Sequence, residues 1–211
     1  VRLNQGGFAA TGDYLFFMDS DDVLAPNRLK LFLTEMKNQS ADLCYGKKVK
    51  THDLNEIQKH TTATWESSTN ALHYMLKNNI MQMCVMCSKE LFLKAGGCNE
   101  KIFIQDESLA LNLGKYSQKI ISTDLHCVFV ILDEEETTRV RGENRLSRHL
   151  EQQHYDMFFT IDDFLQNYPN IDQENKKTLI KKAFSTYWKS IKNTPQQRFS
   201  DLLIYLASKV S

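Results

Sequence analysis

The run Asp19-Ser20-Asp21-Asp22 places three carboxylates within four positions, directly after the unbroken apolar stretch Tyr14-Leu15-Phe16-Phe17-Met18. Carboxylates this close repel one another unless a metal cation, an Arg or a Lys lies among them. Hard oxygen donors of this kind suit Mg²⁺ or Mn²⁺ holding a phosphate. An ion so held neutralises charge developing on a phosphate leaving group. The plainer alternative is an acidic turn that caps the following helix, because Asp is common in turns and at N-caps.

The elements around this run decide what it could do. Residues 14–18 read as a short strand buried on both faces. The carboxylates then lie at the carboxyl edge of a sheet, where open α/β folds bind ligands. The clearest helix is expected from Pro26 to about Lys37, with Leu29, Phe32, Leu33 and Met36 on one face. A second helix is expected over 68–78, and strands over 42–50, 83–87, 119–122 and 126–132. A short helix beginning near Lys89 ends in the loop Ala95-Gly96-Gly97-Cys98-Asn99-Glu100, and another helix starts at Asp106. From Ser147 onward the texture is helical, with apolar stripes through Leu150–Tyr168, Ile180–Ile191 and Phe199–Leu206. The fold class is α/β, with a domain over residues 1–146 and a helical region over 147–211.

Composition bounds the function. Lys plus Arg number 26 and Asp plus Glu number 26, so no bulk charge draws the chain to nucleic acid. Five cysteines without the spacing of a secreted framework favour a reducing, cytoplasmic compartment. No apolar run approaches the ~20 residues of a membrane span. The start at Val1 rather than Met reads as a truncation.

Four motifs in order carry a family resemblance. They are Asn4-Gln-Gly6, Ala10-Thr-Gly12-Asp13-Tyr14, Phe17-Met-Asp19-Ser20-Asp21-Asp22, and Gly96-Gly97-Cys98-Asn99-Glu100 followed by Gln105-Asp106-Glu107-Ser108-Leu109. Together they resemble family 2 glycosyltransferases of the GT-A fold, a Rossmann-related mixed sheet flanked by helices, over residues 1 to about 147. The resemblance implies metal-dependent, inverting transfer of a sugar from a nucleotide-diphosphate sugar, with a UDP-sugar the first choice. The acceptor would be a hydroxyl of a glycan, a lipid-linked sugar or a surface polysaccharide. It also implies upstream nucleobase-binding strands that this chain does not contain.

Residue by residue, the resemblance makes Asp106 the general base. Asp21 becomes the direct ligand of Mn²⁺ or Mg²⁺, with Asp19 on the metal or the donor ribose. Asp22 would cap the Pro26 helix or orient its neighbours. Asn4 and Gly6 belong to the donor wall, and Arg2 and Arg141 are phosphate contacts. Gly97 and Glu107 are acceptor contacts, Glu107 otherwise being an exposed helix residue. Two departures stand out: Gln105 where the family has Glu, and Leu3 where it has Arg.

Other constellations carry less. Cys84-Val-Met-Cys87 lies in a strand, where positions i and i+3 face opposite ways, so buried thiols are expected. Asp162-Asp163 reads as a solvated helix edge. The competing enzyme reading is a haloacid-dehalogenase-like phosphatase, with Asp19 as nucleophile and Asp21 as acid–base in Asp19-Ser-Asp21-Asp22-Val23-Leu24. It leaves Asn4–Tyr14 and Gly96–Leu109 unexplained. The third reading is a non-catalytic binding remnant. For the C-terminal helices the sequence leaves acceptor binding, peripheral contact at an inner membrane face and homo-oligomerisation open, and their lysines fit a solvated face best.

Overall fold

β1 (Tyr14–Phe17) follows a helix, α1 (Arg2–Ala9), and ends at the acidic run. The computed structural model describes residues 2–20, 22–52, 63–81, 83–102, 105–131 and 150–191. After β1 come β2 (Asp22–Leu24), α2 (Arg28–Gln39), β3 (Leu43–Thr51), β4 (Trp65–Ser68), α3 (Ala71–Lys77), β5 (Val85–Ser88), α4 (Lys89–Ala95), α5 (Asp106–Tyr116) and β6 (Ile120–Ile131). Two long helices, α6 (Leu150–Asn167) and α7 (Gln173–Ile191), follow. The chain divides into two compact units: residues 1–98 with 109–139, and residues 99–108 with 140–211.

The first unit is a mixed sheet in the order β1-β5-β3-β6-β2, with β4 also on β6. β3 and β6 run parallel through its centre, while β5, β2 and β4 are antiparallel to their neighbours. β4 pairs with the first half of β6 (Ile120–Thr123) and β2 with the second half (Val128–Val130). The β3–β6 register slips between Tyr45 and Lys47 and again between Lys47 and Lys48. Such irregularities bend a strand and re-aim its side chains. β1 and β2 lie at opposite ends of this strand order although only four residues separate them.

Helices cover both faces of β1. Leu15 and Phe17 point to one side, where Phe17 stacks on Phe92 of α4 at 5.5 Å. Phe16 points to the other and meets Phe32 of α2 edge-on at 6.1 Å. The strand expected to be buried on both faces is buried on the Leu15–Phe17 face and only partly buried on the Tyr14–Phe16 face. Burial still alternates along the strand, because β1 is at the sheet's end and one face is only partly sealed. Phe32 and Met36 of α2 are fully buried against Cys44, Cys84, Ile121 and Cys127. All five cysteines are free and buried, and burial raises the thiols of Cys44 and Cys87.

Several elements differ from the sequence expectation: β2 was not foreseen, and β6 is one strand where two were expected. Trp65–Ser68 is an edge strand, and α3 begins only after Asn70, whose side chain accepts from the His73 amide at 3.2 Å. α1 was not foreseen, because Asn-Gln-Gly-Gly is a poor helix former. Its C-terminal end is held from outside: Lys89 Nζ donates to the carbonyls of Gly7, Phe8 and Ala10, the favourable sign for a helix C-terminus.

In the second unit α6 and α7 bury Ile161, Phe164, Leu165, Leu179 and Ala183. Phe158 and Tyr187 pack at 4.7 Å. Asp163 accepts from Asn99 at 3.0 Å and Asn167 at 3.1 Å, so it ties two segments of this unit together and is not simply a solvated edge. No helix among the described residues is long and apolar enough to cross a membrane.

Candidate active site

β1 delivers the acidic run to the end of the sheet. The Asp22 amide donates to the Asp19 carbonyl at 3.2 Å, closing the turn, and Asp22 opens β2. Asp22 does not cap α2; that place falls to Asn27, whose backbone is left-handed and whose side chain makes no cap bond. Asp21 lies outside the described residues, as does Arg141.

A residue far away in sequence occupies the space between the two described carboxylates. Lys48 Nζ of β3 stands 2.5 Å from Asp19 Oδ2 and 2.6 Å from Asp22 Oδ2. The Asp22 side chain is 3% exposed and that of Asp19 49%. Burial alone would lower the Lys48 pKa, but hydrogen bonds to Asp19 and Asp22 outweigh it, and the ammonium is held above its ordinary value. A Lys among the carboxylates satisfies the electrostatic requirement read from the sequence. No spacing rule links position 48 to 19, and the bend in β3 makes the link. The one local signal is the Lys47-Lys48 pair inside an otherwise strand-forming run.

The donor set can be tested against the divalent ion that the resemblance implies. As arranged, Asp19 and Asp22 do not fit one: their facing oxygens already share Lys48. No cluster of three or more metal-capable side chains occurs among the described residues.

Lys48 also lines a cavity of about 480 Å³ with Thr64, Glu66, Tyr74, Asn79 and Asp124, a size typical of small-molecule sites. On its wall the Tyr74 hydroxyl is 2.6 Å from both Glu66 Oε2 and Ser122 Oγ. Burial, reinforced by Glu66, raises the Tyr74 pKa.

The structure gives the expected donor-wall residues distinct environments. Asn4 is 5% exposed, and its amide is committed to Cys98, donating to the carbonyl at 2.9 Å and accepting from the amide at 2.8 Å. Asn4 is thus a clamp between α1 and the glycine loop. Gly6 and Arg2 are exposed on α1. Gly97, expected to meet the acceptor, is buried with φ +74°, and a Cβ there would collide with the Asn4 side chain. Its carbonyl accepts from Asn112 at 2.8 Å. Backbone conformation and lack of space both require glycine at this position.

Asp106 and Glu107 form the first turn of α5, where a carboxylate favours the helix dipole. The turn is fixed by Ser108, whose hydroxyl donates to the Gln105 carbonyl and accepts from the Asn99 amide. Glu107 is not the exposed residue expected. Burial, then the charge of Asp106, pushes its carboxyl up to about 7; Lys182 opposes this and Asp156 adds to it. Burial lowers Lys182 in turn, with Glu107 holding it up.

Residues 2–94 match the model of the family described as glycosyl transferase family 2. Staphylococcus aureus TarS, residues 1–349, shares the fold at TM-score 0.60 and 12% identity, over 98% of this chain and 57% of that one. The same segment in complex with UDP-GlcNAc gives 0.60 at 13% identity, covering 96% and 58% of the two chains. Its complex with UDP gives 0.58 at 12%, covering 92% and 54%. The chain thus spans between half and three-fifths of the length of these neighbours, and at such identities the likeness is one of fold. No curated protein matches the chain.

Proposed function

We propose, from the match of residues 2–94 to the glycosyl transferase family 2 model, that the chain belongs to an enzyme moving a sugar from a UDP-sugar to a hydroxyl acceptor, a glycan or lipid-linked saccharide, with inversion. One observation carries the reading: the acidic turn stands at the carboxyl end of β1, and the Lys48 that fills it also walls a polar, ligand-sized cavity. The UDP-GlcNAc and UDP complexes of TarS support the choice of nucleotide.

In this reading Asp106 accepts the proton of the acceptor hydroxyl, and that oxygen bonds to the anomeric carbon. The bond from that carbon to the diphosphate breaks, and its electron pair leaves on the UDP oxygen. A positioned carboxylate base of this kind contributes ~10²–10⁴ in rate. Asp19 faces the donor, with Asp21, Gly6, Arg2 and Arg141 as further donor contacts, and Gly97 and Glu107 shape the acceptor side. Asn4 acts through Cys98 rather than by touching the donor. Mn²⁺ or Mg²⁺ is the cofactor the resemblance implies.

A thermal-shift panel of nucleotide sugars tests this. A UDP-sugar at ~100 times its Kd adds ~2.7 kcal/mol, worth several degrees in a chain of this size. Absence of any nucleotide-sugar shift, or hydrolysis of p-nitrophenyl phosphate blocked by Asp19→Asn, would overturn the reading in favour of a remnant or a phosphatase.

A further inference from the structure

Asp163 of α6 is joined, through hydrogen bonds alone, to the residue that precedes Asp106. Its Oδ2 accepts from Asn99 Nδ2 at 3.0 Å and from Asn167 Nδ2 at 3.1 Å. Asn167 lies four positions further along the same helix, where side chains are neighbours, so it fixes the direction of the carboxylate that holds Asn99. The Asn99 side chain also accepts from the Lys101 amide at 2.9 Å, and the Asn99 amide donates to Ser108 Oγ at 2.9 Å. That hydroxyl, on a residue only 4% exposed, donates in turn to the Gln105 carbonyl at 2.6 Å. A buried hydroxyl with both a donor and an acceptor partner is costly to leave half-satisfied. Three bonds in series therefore run from α6 to the start of α5. Every residue in them belongs to the helical unit, and the division of the chain falls inside α5, directly after Ser108. The turn carrying Asp106 is thus grouped with α6 and α7.

We infer that Asp163 is a positioning residue: through Asn99 and Ser108 it holds the turn bearing Asp106 in the orientation that proton transfer needs. The inference rests on Asp106 being the base. A base must come within about 2.6–3.2 Å of the proton it takes, and a displacement of ~1 Å can cost ~10² in rate. The bond from Asn99 to the carboxylate is of the charge-assisted, stronger kind. Its loss loosens the turn and lowers turnover without touching the groups that bind a UDP-sugar.

UDP release from a UDP-sugar, together with amide hydrogen exchange followed by NMR, tests this. Asp163→Ala should lower kcat about tenfold or more at an unchanged KM for the UDP-sugar. It should also speed exchange of the Asn99 and Lys101 amides by at least about threefold. Asp163→Asn, which keeps an acceptor oxygen for Asn99, should hold kcat close to wild type. Asn99→Ala breaks the same bond from its other end and takes the place of Asp163→Ala if that variant folds poorly by circular dichroism. Combined, the two substitutions should lower kcat no further than the worse of them alone, because they remove one shared interaction. Gln166→Ala, which removes a donor to Asp162 on the same helix, should change neither readout. A kcat indistinguishable from wild type in folded Asp163→Ala, or unchanged exchange at Asn99 and Lys101, would overturn the inference. Faster exchange in Asp163→Ala, with no UDP release from any UDP-sugar by wild type, would leave the anchor standing and remove the reading of Asp106 as the base instead.

Discussion

Two carboxylate pairs, one in each unit, are stabilised in opposite ways. In the sheet unit Asp19 and Asp22 share one ammonium, which stands within 2.6 Å of both. In the helical unit Glu107 is tolerated beside Asp106 and Asp156 by taking up a proton more readily, its carboxyl pushed up to about 7 chiefly by burial. Contact with a fixed ammonium ties the two carboxylates to one strand, β3. Desolvation gives a group that changes charge near neutrality. The first suits a phosphate-bearing donor, and the second suits proton traffic beside a candidate base.

The contrast is broken most strongly at Asp22. Asp22→Ala removes the buried half of the Lys48 pair and should cost about 2–3 kcal/mol in urea unfolding; a loss under about 0.5 kcal/mol would reduce the pair to a surface contact. At Glu107 the sign follows from linkage. The folded pKa, about 7, lies above the ordinary 4.5, so the folded state binds the extra proton between these values. The stabilisation is fully present below pH 4.5 and is lost as pH rises through 7. Glu107→Gln should therefore flatten this decline and be the more stable form at pH 8 by about 2 kcal/mol; parallel pH profiles for the two proteins would contradict the assignment. Asp19→Asn should cost less than about 1 kcal/mol, since its side chain is half exposed. The smallest effect is expected from Lys182→Met, which should move the Glu107 carboxyl titration upward in ¹³C NMR. A downward movement would mean that the cation does not face Glu107.

Much of the sheet unit was legible because periodicity and burial coincide there. The apolar run before Asp19 became β1, and Phe32 and Met36, spaced four apart, became the buried stripe of α2. What failed was held by distant partners. α1 depends on Lys89, about 80 residues along the chain, and Asn4 looked like a ligand contact because its clamp on Cys98 spans 94 positions. Lys48 joined the acidic turn through a strand irregularity that no short window encodes. Glu107 was misplaced for a related reason: the charges acting on it include Asp156 and Lys182, far along the chain. Asp21 and Arg141 lie outside the described residues.

The most direct measurement is UDP release from a UDP-sugar by wild type and Asp106→Asn, alongside UDP affinity for both. Turnover should fall by at least ~10² with Asp106→Asn, at an unchanged UDP Kd. Turnover within a few-fold of wild type would show that Asp106 is not the base and would contradict the account at its centre.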